Sequence, residues 1–468
     1  MFSNPTPPKP PNVMKQPHQR TIVVLGGGES GVGAALLAKA KGHRVFVSDQ
    51  GILGDNYRQQ LVENKIEFEE NQHDEVRILN ADEVIKSPGI ADSVPLLQKL
   101  YAQGTPVVSE IEFAARYTNA KIVGITGSNG KTTTTRLTYH LLKNAGLNVG
   151  LGGNIGDSFA KQVLENNFEI YVLEISSFQL DNMYDFKADV AVLLNITPDH
   201  LDRYDYNFQN YVNAKFRIVQ NMGQADDFIY YQQSPAIAQE LPIRSLPMNA
   251  LPLSLSDELM NGGYLKNGIM HVKSHGVAFE MVADEMPIKG PHNALNAMAA
   301  VLVAQAMGVQ ADKIRDGLLS FQNDPHRLEL VGEINGVRFV NDSKATNVDS
   351  TYHALNSYNA PIVWIAGGID KGNDYAPLQE AVRARVKALV CLGKDNHKLV
   401  GYFSGIIPQI AETQDVRQAV RLGLALSKPG DVVLLSPACA SFDLFKNYID
   451  RGNQFRTATQ SLNDTVEQ

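Results

Sequence analysis

A glycine-rich turn between a predicted strand and a predicted helix is the clearest chemical signal in the chain. Residues 121–137, KIVGITGSNGKTTTTRL, run from an apolar stretch through two glycines into Lys131 and Thr132. Backbone N–H groups of such a turn and the dipole of the following helix bind phosphate oxygens, while the lysine reaches the terminal phosphates and the threonine holds Mg²⁺. The strict G-x-x-x-x-G-K-[ST] pattern fails because position 125 is isoleucine, and a chance glycine turn is the alternative. The flanking strand and helix favour a nucleoside triphosphate site.

A carboxylate and an imidazole are predicted at the same edge of the same sheet. Glu174 ends the apolar strand of YVLEISSFQL, and His200 follows the next strand in NITPDHLDRYD. Ligands of parallel sheets collect at the carboxyl ends of the strands, where these groups suit a hydrated divalent cation that bridges nucleotide oxygens. Either residue alone is as easily a capping or core group, but together with Lys131 they indicate one site. Lys215, on the predicted helix of NFQNYVNAKFRIVQ, is on sequence grounds most simply a solvated lysine.

A second glycine-rich turn lies near the start of the chain. In TIVVLGGGESGVG, residues 21–33, glycines at 26, 28 and 31 follow an apolar strand, and Asp49 follows the next strand. This is a passable dinucleotide fingerprint, in which a helix N-terminus holds a diphosphate and the aspartate holds a ribose. An isolated G-x-G-x-x-G pattern is weak, and the glycines alone do not choose between NAD and another nucleotide diphosphate.

Alternating strands and helices carry these turns and divide the chain into three consecutive α/β domains with parallel sheets. Their predicted bounds are 21–119, 120–324 and 325–468. A proline-rich extension, residues 1–20, precedes them and is expected to be disordered. Short alternating runs between about 233 and 288 indicate a small antiparallel addition to the second domain. In the third domain, Asn335-Gly336 predicts a hairpin turn.

Composition excludes several classes of function. The 468 residues include 42 Lys and Arg against 50 Asp and Glu, a net charge of −8, so the surface offers no general attraction to a polyanion and nucleic acid is not an expected partner. No uninterrupted apolar run approaches the roughly 20 residues of a membrane span. Cys391 and Cys439 lack metal-ligand spacing and are predicted to be reduced core thiols. We expect a cytoplasmic monomer that does not enter the membrane.

The order of short motifs along the chain resembles that of the Mur ligases of bacterial cell-wall synthesis. The resemblance runs from Thr21 to the C-terminus, and the matching stretches are GSNGKTTT, GGNIG, LEISSFQL, NITPDHLDRY, YVNAKFRI, PHNALNAMAA, PHRLE, NDSKATN and LLSPACASFDLFKNYIDRGNQF. Within the family, NDSKATN and SPACASFD are similar to the branch that adds D-glutamate. The chain departs from the family where isoleucine precedes the aspartate of AGGIDKGNDY, which affects the placement of Lys371. It departs again where Tyr448 replaces a common phenylalanine.

This resemblance implies a fold, a reaction and two cofactors, ATP and Mg²⁺. The fold would consist of a Rossmann-like N-terminal domain for a UDP-sugar, a P-loop ATPase central domain, and a Rossmann-like C-terminal domain for the amino acid. The reaction would be an ATP-dependent amide ligation in peptidoglycan precursor synthesis. ATP would phosphorylate the alanine carboxylate of UDP-N-acetylmuramoyl-L-alanine, and the amine of D-glutamate would attack the acyl phosphate. Magnesium would neutralise charge as the phosphoryl group moves between two anions.

The resemblance also implies roles for residues at matching positions. The catalytic residues would be Lys131, Glu174, His200, Lys215 and Lys344. The metal ligands would be Thr132, Glu174, His200 and Lys215, the last as a carbamate, because an amine that has taken up CO₂ is an anion. ATP would contact Gly127, Ser128, Asn129, Gly130, Lys131, Thr132, Thr133, Asn293, Asn296, Arg327 and Asp342. The UDP-sugar would contact Glu29, Ser30, Asp49, Ser87, Asn154 and His200. D-glutamate would contact Lys344, Thr346, Lys371, Ser441, Phe442 and Tyr448.

Three other interpretations compete with this one. An NAD(P)-dependent oxidoreductase would use the first glycine turn, but it would leave Lys131 and Glu174 unexplained because a dehydrogenase has no need of ATP. A non-catalytic nucleotide switch would bind ATP without consuming an amine, so that loss of Lys344 or Ser441 would change nothing. A sister ligase would add a different amino acid, which NDSKATN argues against.

Overall fold

The computed structural model describes residues 19–322, 325–370 and 372–466. Three β-sheets follow one another along the chain, each with helices between its strands, which confirms the predicted α/β fold class. The described residues up to Met286, with Asn293–Phe321, form one compact unit that holds the first two sheets. Pro287–His292 and the residues from Gln322 onward form a second unit that holds the third sheet. The predicted extension of residues 1–20 lies, except for its last two residues, outside the described part of the chain.

The first sheet is a doubly wound parallel sheet. Its strands are β1 (Thr21–Leu25), β2 (Arg44–Ser48), β3 (Glu67–Glu69), β4 (Glu83–Lys86) and β5 (Val107–Val108). Its helices are α1 (Glu29–Ala40), α2 (Asp55–Glu63), α3 (Glu75–Leu79), α4 (Pro95–Gln103) and α5 (Glu110–Ala115). The strand order is β3-β2-β1-β4-β5, all parallel. The order reverses between β1 and β4, so the loops after these two strands border the crevice in which such sheets bind ligands.

The second sheet is larger and mostly parallel. Its strands are β6 (Lys121–Thr126), β7 (Val149–Gly153), β8 (Ile170–Glu174), β9 (Val190–Leu193), β10 (Asp227–Tyr231), β11 (Asn249–Ser254), β12 (Gly262–Lys266), β13 (Ile269–Ser274) and β14 (Val277–Val282). Its helices are α6 (Lys131–Asn144), α7 (Phe159–Glu165), α8 (Ser177–Leu180), α9 (Phe208–Phe216), α10 (Pro235–Glu240), α11 (Pro291–Ala306) and α12 (Ala311–Ser320). The order is β14-β13-β12-β11-β10-β9-β6-β8-β7.

Two features of this order matter for the site. Strand β6 lies between β8 and β9, so the turn after β6, the end of β8 and the loop after β9 meet at one edge of the sheet. The predicted antiparallel addition is confirmed in β12, β13 and β14, which pair antiparallel. These strands continue the second sheet, because β12 also pairs with β11 in parallel.

The third sheet has six strands and follows the second sheet in sequence. Its strands are β15 (Glu329–Ile334), β16 (Val337–Asn341), β17 (Ile362–Ala366), β18 (Val386–Leu392), β19 (Ile410–Thr413) and β20 (Val432–Leu435). Its helices are α13 (Val348–Leu355), α14 (Gln379–Arg385), α15 (His397–Phe403), α16 (Val416–Ala425) and α17 (Tyr448–Val466). The order is β15-β16-β20-β17-β18-β19, and only the β15–β16 pair is antiparallel. The predicted hairpin turn is confirmed, with Asn335 at φ 52° and Gly336 at φ 74°.

Two expectations drawn from composition can be compared with the structure. Cys391 and Cys439 are buried free thiols, as predicted. Among the described residues, no helix is long and apolar enough to cross a membrane.

The first glycine turn depends on close approach of the backbone to helix α1. A β-carbon on Gly31 would lie 1.9 Å from the carbonyl oxygen of Gly26, which no side chain can do without moving the turn. A β-carbon on Gly28, whose φ is −81°, would meet no atom within 4 Å.

We therefore expect Gly31→Ala to lower the free energy of unfolding by about 1–3 kcal/mol through overpacking. The matched variant Gly28→Ala, in the same turn, is expected to change it by less than about 0.5 kcal/mol. Urea unfolding followed by circular dichroism measures both. Equal effects of the two substitutions would contradict the steric explanation.

Candidate active site

The turn after β6 is a left-handed, glycine-dependent loop that leads directly into α6. Gly127 has φ 154° and Gly130 has φ 82°, values that disfavour other residues. A β-carbon on Gly130 would also lie 2.5 Å from the Oδ1 atom of Asn296, which is buried in α11 beside Asn293. The structure thus brings Asn296, a predicted nucleotide contact, against the turn.

The loop after β9 holds this turn in place. The Ser128 amide donates to the carbonyl of Asn195, and the Asn129 amide donates to the Asn195 side chain at 2.8 Å. The Ser128 hydroxyl donates to the Thr197 carbonyl at 2.9 Å and lies 3.1 Å from the hydroxyl of Tyr211. The turn is therefore preorganised before any anion binds, so less ordering is required on binding.

Lys131 begins α6 and folds back over the turn. Its ammonium donates to the carbonyl of Gly127 at 2.7 Å and to the carbonyl of Ser128 at 2.9 Å. Thr132 and Thr133, the next two residues, are buried in the first turn of the helix. A cation above the N-terminus of a 14-residue helix forms a binding place for the terminal phosphates of a nucleotide.

Glu174 is a buried carboxylate of which only one oxygen accepts a hydrogen bond from a described residue. It ends β8 at 2% exposure, and its Oε1 atom accepts from the side chain of Asn154 at 2.8 Å. Its Oε2 atom is buried and has no hydrogen-bond partner among the described residues. A buried carboxylate oxygen without a donor is costly unless a cation neutralises it, so Glu174 fits the divalent metal predicted for this edge.

His200 lies at the same edge in a strained conformation. It has φ 53°, its ring lies edge-on to Phe178 at 5.1 Å, and its side chain is 41% exposed and 3.6 Å from Asp199. Non-glycine residues in this region cluster at functional sites. The described residues contain no group of three His, Cys, Asp or Glu side chains placed to hold a metal. Mg²⁺ usually takes only one or two carboxylates and completes its coordination with water and phosphate oxygens.

Lys215 is buried, so the interpretation of it as a solvated helix lysine is wrong. The side chain is 1% exposed, and its Nζ atom donates to the Thr126 hydroxyl at 3.1 Å and the Gly127 carbonyl at 2.9 Å. Desolvation by burial, and then the nearby ammonium of Lys131, hold the pKa of Lys215 well below its ordinary value. The prediction of an exposed lysine was wrong because α9 packs against the turn after β6. This packing buries Lys215 together with Tyr211 and Phe216.

Four of the six predicted UDP-sugar residues lie in loops or helix starts of the first sheet, whereas Asn154 and His200 follow strands of the second. Asp49 accepts from the amide of Gly27 at 2.6 Å, so it binds the glycine turn itself. A β-carbon on Gly26 would lie 2.7 Å from the β-carbon of Ser87, which brings the loop after β4 against the same turn. Glu29 and Ser30 form the first turn of α1.

Arg203 is a residue of this region that the sequence analysis did not single out. Its guanidinium donates to the carbonyls of Pro88, Gly89 and Ile90 at 3.2–3.4 Å and lies over the ring of Phe178 at 4.4 Å. The loop after β9 is thereby hydrogen-bonded to the loop that follows Ser87. The signal was present in the stretch NITPDHLDRY, but the partners lie more than a hundred residues away.

The third sheet carries its own cluster of predicted residues. Burial raises the pKa of Asp342 to about 7, while its carboxylate accepts from the Leu328 amide at 3.2 Å and the Ser436 hydroxyl at 3.0 Å. Arg327 acts on this carboxylate electrostatically and lowers the pKa. The ammonium of Lys344 lies 5.8 Å from the ring of Tyr448.

The segments NDSKATN and SPACASFD meet at the carboxyl edge of this sheet. The Ala438 amide donates to the carbonyl of Ala345 at 3.0 Å, next to Thr346. Ser441 is buried, whereas the side chain of Phe442 is 69% exposed. The predicted contact Lys371 lies outside the described residues.

Arg451 is a second residue that the sequence analysis did not single out. It is 1% exposed and donates to the hydroxyl and carbonyl of Ser343 and to the carbonyls of Gly367 and Cys439. One guanidinium from α17 therefore joins the loops that follow β16, β17 and β20. Its signal was the arginine of FKNYIDRGNQF, whose role depends on loops distant in sequence.

Comparison with known protein families gives three matches. A family described as "MurD N-terminal domain" matches residues 21–94, "Mur ligase middle domain" matches 125–304, and "Mur ligase, glutamate ligase domain" matches 326–439.

Individual relatives agree with these matches. The chain is 51% identical over 444 residues to "UDP-N-acetylmuramoylalanine--D-glutamate ligase" of Bacteroides fragilis, covering 95% of this chain and 100% of that protein. It is 49% identical over 443 residues to the protein of the same name from Christiangramia forsetii, again covering 95% and 100%. The crystal structure of MurF ligase from Thermotoga maritima in complex with ADP has the same fold, with a TM-score of 0.59 and 18% identity over 90% of this chain and 95% of that one.

The burial of Lys215 generates a stability prediction. Because its pKa is lowered on folding, the native chain loses the Lys215 proton at a lower pH than the unfolded chain does, and stability falls as pH drops below the ordinary lysine value. We expect Lys215→Met to unfold at higher urea concentration than the wild type at pH 7 in CO₂-free buffer. Between the folded and unfolded pKa values of Lys215, the free energy of unfolding of the wild type should rise by about 1.4 kcal/mol for each unit of increasing pH, relative to that of the variant.

Urea titrations at pH 7 and pH 9 measure this difference. Lys121→Met, at the exposed start of β6, is the matched control for the loss of one lysine charge. A Lys215→Met protein that is less stable than the wild type by the same amount at both pH values would contradict a neutral buried amine.

Proposed function

The chain belongs to the Mur ligase family, and we propose that it ligates D-glutamate to UDP-N-acetylmuramoyl-L-alanine at the expense of ATP. Relatives that carry this name match the chain over nearly its full length. The observation that carries the proposal is the grouping of Lys131, Glu174 and Lys215 around one preorganised phosphate-binding turn. The product is a precursor of peptidoglycan.

A carboxylate and an amine do not form an amide readily at neutral pH. The proposed reaction therefore first activates the carboxylate. The alanine carboxylate of the sugar-nucleotide attacks the γ-phosphorus of ATP, which forms an acyl phosphate and releases ADP. The neutral amine of D-glutamate then attacks the acyl carbon, the C–O bond to phosphate breaks, and the amine proton is lost to solvent. Phosphate and the amide remain, so that ATP hydrolysis drives the ligation.

In this proposal the turn after β6 binds the phosphates of ATP. The turn amides and Lys131 hold the terminal phosphates, with Asn296 packed against the turn. Arg327 and Asp342, both in the second unit, are the further nucleotide contacts in this proposal. A related ligase structure that contains ADP is consistent with ATP as the substrate.

Glu174, His200 and Thr132 would hold Mg²⁺ at the same edge. The leftover buried oxygen of Glu174 is the observation that fits a cation. Bound Mg²⁺ would neutralise the negative charge of two anions that must approach one another. Asn154 orients Glu174 by donating to its other oxygen, so the free oxygen stays directed to one side.

Lys215 would supply a further metal ligand after reacting with CO₂. The neutral amine nitrogen attacks the carbon of CO₂, one proton leaves to solvent, and the product is an anionic carbamate. The lowered pKa of Lys215 makes this step possible, because an ammonium has no lone pair to donate. A carbamate on Lys215 would add an anionic oxygen ligand near Glu174, whose carboxylate acts electrostatically on the Lys215 amine.

The two remaining substrates would bind on the first and third sheets. The crevice at Asp49, Ser87 and the first turn of α1 would receive the UDP moiety, and Asn154 would contact the sugar-nucleotide. On the third sheet, D-glutamate would be held by Lys344, Thr346, Lys371, Ser441, Phe442 and Tyr448. Cationic and hydroxyl groups suit the two carboxylates of this amino acid. We place the reaction in the cytoplasm and expect the protein to act as a monomer.

The direct test is phosphate release from ATP with UDP-N-acetylmuramoyl-L-alanine present and one candidate amine at a time. We expect release with D-glutamate and none above background with L-glutamate, L-alanine, L-lysine, meso-diaminopimelate or D-alanyl-D-alanine. Lys344→Ala should lose D-glutamate-dependent release while ATP binding is retained. Release with a different amine would move the protein to a sister step, and ATP binding without any amine-dependent release would contradict the ligase function.

A further inference from the structure

Helix α5 carries two buried carboxylates at the boundary between the first two sheets. Glu110 is 3% exposed and Glu112 is 2% exposed, although charged residues are rarely buried without partners. Both carboxylates accept hydrogen bonds from the second domain, and Glu112 also forms an ion pair with Arg116 at 3.8 Å. Glu112 accepts from the amides of Tyr184, Asp185 and Phe186 at 2.8–3.2 Å.

Glu110 binds the start of α7 through one oxygen. Its Oε1 atom accepts from the Ser158 hydroxyl at 2.7 Å and from the Ala160 amide at 2.6 Å. Its Oε2 atom has no hydrogen-bond partner among the described residues. The functional part of this side chain is therefore a single acceptor oxygen rather than its charge.

Ser158 is the point at which this contact meets the UDP-sugar loop. The Ser158 amide donates to the carboxylate of Glu29 at 3.2 Å, and Tyr57 hydrogen-bonds the same carboxylate. A β-carbon on Gly33 would lie 2.1 Å from the Ser158 hydroxyl oxygen, so α1 and α7 are in direct contact here. Glu29 begins α1, the helix whose N-terminus faces the crevice of the first sheet.

The same short segment touches the predicted metal ligand at its other end. The amide of Asn154 donates to the carbonyl of Glu174 at 2.8 Å, and its side chain donates to Oε1 of Glu174 at 2.8 Å. Residues 154–158 therefore connect Glu174 in the second sheet with Glu29 in the first. Glu110 fixes the end of this segment that lies against the first sheet.

We infer that Glu110 and Ser158 are positioning residues for the ligation, which hold segment 154–158 so that the UDP-sugar loop and Glu174 keep one relative placement. The inference rests on the proposed function, because it assigns the sugar-nucleotide to the first sheet and the metal to Glu174. A displacement of about 1 Å between reacting groups can cost about a hundredfold in rate, which gives such a contact a measurable effect.

Glu112 provides a matched control within the same helix. It lies on α5, is equally buried and joins the same two domains, but its amide partners are residues 184–186 and not segment 154–158. If the carboxylates of α5 only hold the domains together, substitutions of Glu110 and Glu112 should have the same effects. If Glu110 positions segment 154–158, substitution of Glu110 should weaken binding of the sugar-nucleotide, and substitution of Glu112 should not.

The experiment compares Ser158→Ala, Glu110→Ala, Glu110→Gln and Glu112→Ala in the full-length protein. Titration calorimetry without ATP gives the Kd for UDP-N-acetylmuramoyl-L-alanine, steady-state kinetics give KM and kcat, and thermal unfolding gives Tm. We expect Ser158→Ala, which removes one buried hydrogen bond, and Glu110→Ala, which removes two, to raise the sugar-nucleotide Kd and KM about tenfold or more and to lower kcat severalfold. The KM for ATP should change less than about twofold, because the turn after β6 keeps its own contacts.

Rescue by the conservative variant separates positioning from charge. Glu110→Gln keeps the acceptor oxygen for Ser158 and Ala160, so it should restore Kd and kcat to within about threefold of the wild type. Glu112→Ala should lower Tm while the sugar-nucleotide Kd stays unchanged. The inference is overturned if Ser158→Ala and Glu110→Ala lower Tm only, or if Glu112→Ala weakens sugar-nucleotide binding equally.

These outcomes are distinguishable from failure of the proposed function. Sugar-nucleotide binding is measured without amine or ATP, so it does not depend on which amino acid the protein adds. A wild-type protein that binds the sugar-nucleotide but releases no phosphate with D-glutamate would refute the function and leave the binding comparison intact. A wild-type protein that does not bind the sugar-nucleotide at all would overturn both.

Discussion

The arrangement of the proposed site depends on a lysine whose positive charge is disfavoured by burial where it lies. Lys215 is buried behind the phosphate-binding turn, close to the ammonium of Lys131, and both effects disfavour a second positive charge. A neutral amine at this place is of little use as a phosphate ligand, but it can become an anion by reaction with CO₂. In the proposed cation site, this anion would join the unpartnered buried oxygen of Glu174 and the side chain of His200.

The sheets supply the rigidity that this site needs. Three neighbouring parallel strands of the second sheet deliver the glycine turn, Glu174 and the loop of His200 to one edge, and Asn195 and Thr197 fix the turn by hydrogen bonds. The first sheet joins the same unit through Arg203, Glu110 and Glu112, so the proposed UDP-sugar crevice is bound to the second sheet by contacts on both sides. Preorganised dipoles of this kind require no rearrangement during the reaction.

Local features of the fold were predictable from sequence, whereas features that depend on distant contacts were not. The hairpin at Asn335-Gly336, the glycine turn before α6 and Glu174 at the end of β8 were all correctly predicted, because their signals lie within a few neighbouring residues. The burial of Lys215 was missed, since a short helix shows no sign of what packs against it. Arg203 and Arg451 were missed for a related reason, because each donates to carbonyls that any residue type could supply.

Carbon-13 NMR of the protein in labelled bicarbonate tests the central claim, that Lys215 is a neutral amine able to become an anionic ligand. We expect a carbamate carbonyl resonance in the wild type that strengthens when Mg²⁺ and an ATP analogue are added. Lys215→Met should lack this resonance, whereas Lys121→Met should keep it. A wild-type protein that ligates D-glutamate while showing no carbamate resonance under turnover conditions would contradict the account.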